Sequence, residues 1–233
     1  MKNIFHTLAF LVFPYIALTI FVVGHSYRFL TDRYHWNSKS SELLDHDSLK
    51  YGVILFHWGI IFTFLGHFFG LLTPQPFLDK LGISSGLHEF IALYTGMLFG
   101  FMALIGLILI LRRRFKNPRI KATSSTNDLV LLVLLVFVVF AGTYNSFFQR
   151  YNVLYTIAPW IRSIVTFTPD PDLMREVPWT YKIHILAALT LLAFSPFTRL
   201  VHIWSVPVKY SLRPYLSFRR RWQGFHKTFG LEE

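Results

Sequence analysis

The stretch DLVLLVLLVFVVFAGTYNSFF, residues 128–148, is apolar apart from its first residue and a few polar side chains near its end. A helix of this length spans about 30 Å, the thickness of the hydrocarbon core of a bilayer. The pattern predicts an all-α integral membrane bundle of five transmembrane helices that forms a single domain. The other four apolar segments of similar length occupy residues 4–27, 51–72, 90–111 and 181–204 of the domain, which covers residues 1–233.

The composition agrees with a membrane protein and excludes several kinds of chemistry. Of the 233 residues, 53% are hydrophobic, 15% are charged and none is Cys. Disulfides, thiolate zinc sites, iron–sulfur clusters and covalently attached c-type haem all need thiols. A metal or redox centre in this chain must therefore use His, Met or oxygen ligands. The formal charge of +11 comes from basic residues scattered between apolar blocks, which indicates contact with membrane lipid and no nucleic-acid partner.

The basic residues also predict how the bundle is oriented. Seventeen of the 23 Lys and Arg residues fall on one side, in the loops after the first and third segments and from Arg199 onward, and six fall on the other. Because positive charge is enriched in cytoplasmic loops, we expect the N-terminus outside and the C-terminus in the cytoplasm. The first segment is too long for a removable signal peptide and lacks a cleavage site. It is therefore expected to remain as a helix, kinked at Pro14.

Four histidines lie in two of the five segments. His57 and His67 belong to the second segment, and His184 and His202 belong to the fifth. The two segments run in opposite directions, so the topology pairs His57 with His202 at the inner side and His67 with His184 at the outer side. Two neutral imidazoles that face each other across a bundle are the ligand set of a non-covalent b-type haem. Two such pairs predict two haems and a path for electrons across the bilayer.

The spacing of the histidines fits this pairing only in part. In ideal helices the ten residues between His57 and His67 rise about 15 Å, whereas the eighteen between His184 and His202 rise about 27 Å. A kink at Pro196, together with helix tilt, is expected to absorb the difference of about 12 Å. A single His in a membrane helix is more often a packing residue than a ligand, and His25, in the first segment, is interpreted in that way.

Three glycines of the second segment share one helix face, which indicates a groove for a porphyrin or for another backbone. Simple helix packing is the simpler explanation for any one of them, and Gly66, beside His67, is the one we expect to touch a haem. Arg199 stands one turn from His202 and is predicted to bind a propionate of the inner haem, although interface anchoring explains it almost as well. The three glycines are Gly59, Gly66 and Gly70.

Several short motifs identify a resemblance over nearly the whole chain. The sequence resembles the cytochrome b (gamma) subunit of membrane-bound respiratory nitrate reductase, most specifically in its His202 motif. The motifs are LFHWG (55–59), GHFFG (66–70) followed by Thr73-Pro74, PFTRLVHIWSVP (196–207), SSELL (40–44), RIKAT (119–123) and IVTF (164–167).

The resemblance implies a function and a location. Members of this family are five-helix dihaem subunits of the bacterial cytoplasmic membrane that oxidise quinol, either menaquinol or ubiquinol, near the outer face. Their electrons pass to an iron–sulfur (beta) subunit and then to a molybdenum (alpha) subunit that reduces nitrate. The family's four haem ligands match His57 and His202 for the inner haem and His67 and His184 for the outer haem.

The resemblance also indicates where quinol binds. The family's quinol pocket adjoins the outer haem, where some members carry a Lys at the start of the third helix. This sequence reads SSGLHE at residues 84–89 and has no Lys there, so His88 is the candidate substitute. The expected pocket therefore comprises Gly66, His67 and His88.

Three other interpretations share these features. The chain is alternatively the dihaem anchor of another quinone-linked complex, such as a sulfite-reductase-associated or heterodisulfide-type cytochrome, which the electron acceptor would distinguish. A haem-free transporter whose histidines relay protons would show no Soret band. A purely structural anchor would tolerate Ala at all four histidines.

Overall fold

The computed structural model describes residues 4–32, 36, 47–149 and 151–205. Within these ranges the chain is helical and contains no strand. Five of the helices are long and apolar enough to cross a membrane, which confirms the predicted fold class. The helices are α1 (Ile4–Thr31), α2 (Asp47–Leu72), α3 (Gln75–Lys80), α4 (Ser85–Lys116), α5 (Pro118–Ala122), α6 (Thr126–Phe148), α7 (Ile157–Val165) and α8 (Trp179–Phe194), of which α1, α2, α4, α6 and α8 are the long ones.

Part of the sequence interpretation falls outside the described residues. The SSELL motif at residues 40–44 lies there, and so does the end of the PFTRLVHIWSVP motif. Many of the basic residues that predict the orientation lie there too, and the N-terminus-outside orientation stays a prediction. These basic residues are Lys2, Arg33, Lys39, Arg150, Lys209, Arg213, Arg219, Arg220, Arg221 and Lys227.

Helix α4 extends beyond its apolar segment because polar residues end it. Helix α4 begins at a cap in which the Ser84 hydroxyl accepts a hydrogen bond from the Leu87 N–H at 3.3 Å. Its last turn carries Arg113, Arg114 and Lys116, and positive charge is favourable at the carbonyl end of a helix. Hydropathy alone therefore locates α4 but places each of its ends five residues too far inward.

Helix α1 contains a wider turn just before Pro14. Residues Leu8–Val12 are π-helical, an arrangement that loosens the backbone next to a proline, which has no N–H to donate. The Phe10 carbonyl accepts a hydrogen bond from the Trp160 indole N–H at 2.9 Å. Trp160 is buried, and α7 therefore packs on α1 across the end of the bundle.

The fifth span is interrupted, and the prediction of one helix over residues 181–204 is wrong beyond Phe194. The chain continues as a 3-10 turn at Ser195–Phe197, an extended residue at Thr198 and a second 3-10 turn at Arg199–Val201. Pro196 cannot donate to the helix ladder, and the Ser195 hydroxyl donates to the Leu192 carbonyl at 2.7 Å. We refer to residues 195–198 as the α8 break.

The long helices pack against one another in a fixed order. Helices α2 and α8 approach each other through their histidine side chains. Within the described part of the chain, α2 packs against α4, α4 against α6, α6 against α8, and α8 against α1. Glycine allows the closest of these approaches, since a Cβ on Gly59 would lie 2.8 Å from the Ala103 Cα of α4. This packing fixes α2 and α8 on opposite sides of the site described next.

Candidate haem sites

The structure brings the four histidines together as two pairs, each with one ring from α2. His57 faces His202 with ring centres 6.0 Å apart and an angle of 65° between the ring planes. His67 faces His184 with ring centres 6.2 Å apart and an angle of 43°. These are the two pairs that the topology predicted. His184 and His202 do not lie on one continuous helix, because the α8 break interrupts the chain between them.

The separation within each pair fits one metal ion between two imidazoles. A metal–imidazole nitrogen bond is about 2 Å long and the nitrogen stands about 1 Å from the ring centre, so two axial imidazoles have ring centres about 6 Å apart. The two observed separations of 6.0 and 6.2 Å equal this value. The donor set also fits, because two neutral imidazoles can bind a haem iron without any thiol.

The hydrogen bonds of the rings favour the ligand form of each imidazole. In all four the Nδ1 atom lies within hydrogen-bond distance of a backbone carbonyl, so Nδ1 carries the proton and donates it. The Nε2 lone pair is then left for a metal. The four bonds run from His57 to the Val53 carbonyl (2.9 Å), from His67 to that of Thr63 (2.7 Å), from His184 to that of Val138 (3.0 Å) and from His202 to that of Arg199 (2.7 Å).

The three glycines of the predicted groove have different surroundings. Gly59 packs on α4, and a Cβ on Gly70 would lie 3.4 Å from the His88 Nε2. A Cβ on Gly66 would meet no atom within 4 Å, and both Gly66 and His67 are exposed. Packing therefore explains Gly59, whereas the haem contact predicted for Gly66 stays a prediction.

Residues of α1 contact the α8 break and hold it in place. The Arg28 Nη1 donates to the Pro196 carbonyl at 2.7 Å, and a Cβ on Gly24 would lie 2.9 Å from both Cβ and Cγ of Pro196. The His25 Nε2 lies 3.2 Å from the Ser195 Oγ. Since that hydroxyl donates to a carbonyl, its oxygen accepts from His25. Sequence reasoning missed this contact, although the spacing of Gly24, His25 and Arg28 on one helix end is a visible signal.

Comparison with known proteins gives the family. A sequence model described as "Nitrate reductase gamma subunit" matches residues 6–221. The chain is 40% identical to the nitrate reductase gamma chain of Bacillus subtilis (strain 168), over 90% of this chain and 96% of that protein.

The chain belongs to the nitrate reductase gamma subunit family. It is also 34% identical to the respiratory nitrate reductase 1 gamma chain of Escherichia coli (strain K12), over 90% of this chain and 95% of that one. A weaker similarity, 22% over 67% of this chain and 48% of the relative, links it to the Hdr-like menaquinol oxidoreductase cytochrome b-like subunit of Archaeoglobus profundus (strain DSM 5631 / JCM 9629 / NBRC 100127 / Av18).

Membership confirms the resemblance and establishes the setting of this gamma subunit. It is part of an oxidoreductase complex and a multi-pass protein of the bacterial inner membrane. The five apolar helices agree with that location.

Two further predicted site residues of the gamma subunit have polar partners. The His88 Nδ1 donates to the Gln75 Oε1 at 3.1 Å, and the ring is buried. Arg199 donates to the Asp128 carboxylate from Nε at 2.5 Å and from Nη2 at 2.7 Å. The propionate contact predicted for Arg199 stays a prediction, and Asp128 is the residue that sequence reasoning did not connect to it.

Proposed function

We propose that this gamma subunit is the dihaem cytochrome b subunit of a respiratory nitrate reductase. It oxidises quinol near the outer face of the membrane and transfers the electrons through two b-type haems to a cytoplasmic iron–sulfur (beta) subunit. Nitrate is reduced in the molybdenum (alpha) subunit of the same complex. The observation that carries the proposal is the arrangement of two imidazole pairs, 6.0 and 6.2 Å apart, between the same two helices.

In this proposal each helix contributes one ligand to each site. His57 and His202 would hold the inner haem, and His67 and His184 would hold the outer haem. The haems would supply reversible one-electron chemistry. The chain supplies the neutral ligand tautomers, through the carbonyls bonded to each Nδ1, and at Gly66 a helix position where a Cβ would meet no atom within 4 Å.

The chain also handles the protons of the reaction. Quinol oxidation releases two protons and two electrons, and the protons need an acceptor near the outer site. Because the His88 Nδ1 donates to Gln75, the His88 Nε2 carries a lone pair and accepts a proton from a quinol hydroxyl. Each of the four ligand imidazoles keeps its proton on Nδ1, which donates a hydrogen bond to a backbone carbonyl. These imidazoles therefore do not carry protons inward.

The proposed orientation makes the reaction electrogenic. With the N-terminus outside, protons are released outside while electrons move inward. Each elementary charge that crosses a potential of 100 mV corresponds to about 2.3 kcal/mol. The subunit would thereby convert the free energy of quinol oxidation into membrane potential.

Quinol and nitrate, added in turn to the purified complex, test the proposed electron path. We expect a menaquinol analogue to reduce the b-type absorbance and nitrate to reoxidise it. In His57→Ala, which removes an inner ligand, the remaining absorbance should still be reduced by quinol but no longer be reoxidised rapidly by nitrate. His6→Ala, which removes an imidazole from outside both pairs, is the matched control. Failure of quinol to reduce wild-type absorbance would contradict the proposal.

A further inference from the structure

The His184 Nδ1 is hydrogen-bonded to a different helix, whereas the Nδ1 atoms of the other three paired histidines are bonded within their own chain segments. His57, His67 and His202 each use a carbonyl three or four residues earlier in their own chain segment. His184 instead donates to the Val138 carbonyl of α6 at 3.0 Å. Helix α6 carries none of the four histidines, yet it orients one of them.

A carbonyl inside a helix is normally shielded from neighbouring helices. The Val138 carbonyl points toward the N–H of residue 142, four residues later, and a side chain at residue 142 would cover its second lone pair. Residue 142 is Gly. The missing Cβ leaves the Val138 oxygen open to a donor from α8.

The space at Gly142 is filled by the His184 ring itself. A Cβ on Gly142 would lie 2.8 Å from Cε1, 3.3 Å from Nδ1 and 3.4 Å from Nε2 of His184. The three nearest atoms are therefore all ring atoms of one imidazole. An added methyl group would push the ring off α6, and the Nδ1 bond to Val138 would lengthen with it.

Ordinary helix packing makes a different contact nearby. On α4, a Cβ on Gly100 would lie 3.0 Å from the Thr143 Oγ1, and its three nearest atoms would all belong to Thr143. Gly100 thus provides close packing between α4 and α6 beside Gly142, and none of those three atoms belongs to His184. A comparison of Gly100 with Gly142 therefore distinguishes a role in helix packing from a role in positioning the ligand.

We propose that Gly142 is a positioning residue for His184: by exposing the Val138 carbonyl and seating the imidazole against α6, it sets the orientation and tautomer of the outer axial ligand. The inference rests on the proposed dihaem function. The proposed role of Gly142 makes α6 part of the outer site. The outer site would then depend on the contact between His184 and α6, which the inner site does not need.

The test compares Gly142→Ala with Gly100→Ala in the purified complex. In Gly142→Ala we expect the affinity of the outer site for haem to fall about 10-fold or more, as is typical when a partner of a metal-bound His is disturbed. Outer haem that remains should show an altered low-spin ferric EPR signal, because the anisotropy of that signal follows the angle between the two imidazole planes. The inner haem should keep its content and its signal.

The control and the wild type separate the possible failures. Gly100→Ala should retain both haems and both EPR signals. Equal loss in the two variants, or no change in Gly142→Ala, would overturn the positioning role while leaving the dihaem function standing. Wild-type complex without haem would instead contradict the proposed function itself.

An experimental structure of the haem-loaded complex provides a second test, which applies even if Gly142→Ala does not accumulate in the membrane. We expect the His184 Nδ1 to donate to the Val138 carbonyl at about 3 Å. A different partner for Nδ1, or a ring away from Gly142, would overturn the inference.

Discussion

Arg199 and Asp128 join the segment after the α8 break to the first turn of α6 through two hydrogen bonds, Nε to Oδ1 at 2.5 Å and Nη2 to Oδ2 at 2.7 Å. Asp128 is 7% exposed, and its carboxylate also accepts from the Ser125 N–H as part of a helix capping box. Arg199 stands three residues before His202 and bonds to its Nδ1 through the backbone carbonyl. The ion pair therefore anchors His202, the proposed inner ligand, to a fixed helix end.

Loss of this ion pair should destabilise the inner end of the bundle. Asp128→Asn leaves the Arg199 guanidinium without its carboxylate in a mostly buried position, and removal of one partner of a buried pair costs about 3 kcal/mol. The measurement is the free energy of unfolding in mixed detergent micelles. Asp172→Asn removes the carboxylate of the exposed Arg175–Asp172 pair, and the expected cost there is about 0.5 kcal/mol or less. Equal costs for the two variants would contradict this assignment.

The contacts between α1 and the α8 break should affect binding of the inner haem only. In Gly24→Ala the new Cβ would lie 2.9 Å from two atoms of Pro196, so the proline must move and His202 with it. We expect loss of the inner haem with retention of the outer haem, measured by haem content per chain. Gly86→Ala adds the same methyl group where nothing lies within 4 Å and should retain both. Loss of the outer haem instead of the inner haem in Gly24→Ala would contradict an effect of α1 on His202 through the α8 break.

Much of this arrangement could be predicted from the sequence. Apolar length predicted the five spans, and antiparallel topology predicted which histidine meets which. The discrepancy in rise between the two pairs pointed to an irregularity near Pro196, and the structure places the break there.

The contacts between helices could not be predicted in this way. When most helix faces are apolar, hydropathy carries little information about how each helix is rotated about its axis. The His184–Val138, Arg199–Asp128 and His25–Ser195 contacts all depend on that rotation. The same limit applies to the glycines of α2, which look alike in sequence and face different neighbours in the structure.

His88 should be needed for quinol oxidation but not for haem binding. Removal of a general base typically lowers a rate about 100-fold, so His88→Ala should show that loss in quinol-driven nitrate reduction. Reduced viologen, which donates electrons without proton transfer, should support the wild-type rate of nitrate reduction through the partner subunits. Glu89→Gln, which alters an adjacent ionisable residue, serves as the control. A His88→Ala complex with full quinol activity would remove His88 from the pocket.

The absence of Cys makes the orientation easy to test. Lys80 lies shortly before the first residue of α4 and Lys116 is its last residue, so single cysteines introduced by Lys80→Cys and Lys116→Cys lie near opposite ends of α4, at exposed positions. With the N-terminus outside, a membrane-impermeant maleimide should label Lys80→Cys in intact spheroplasts and should label Lys116→Cys only after lysis. The reverse pattern would place the N-terminus in the cytoplasm.

The haem content of the purified wild-type complex, measured by reduced-minus-oxidised spectra with pyridine haemochrome quantitation beside His67→Ala and His202→Ala, tests whether the two histidine pairs bind two haems. We expect two b-type haems per gamma subunit in the wild type and the loss of at least one in each variant, the outer from His67→Ala and the inner from His202→Ala. A folded wild-type subunit without haem, or variants that retain both haems, would contradict this expectation.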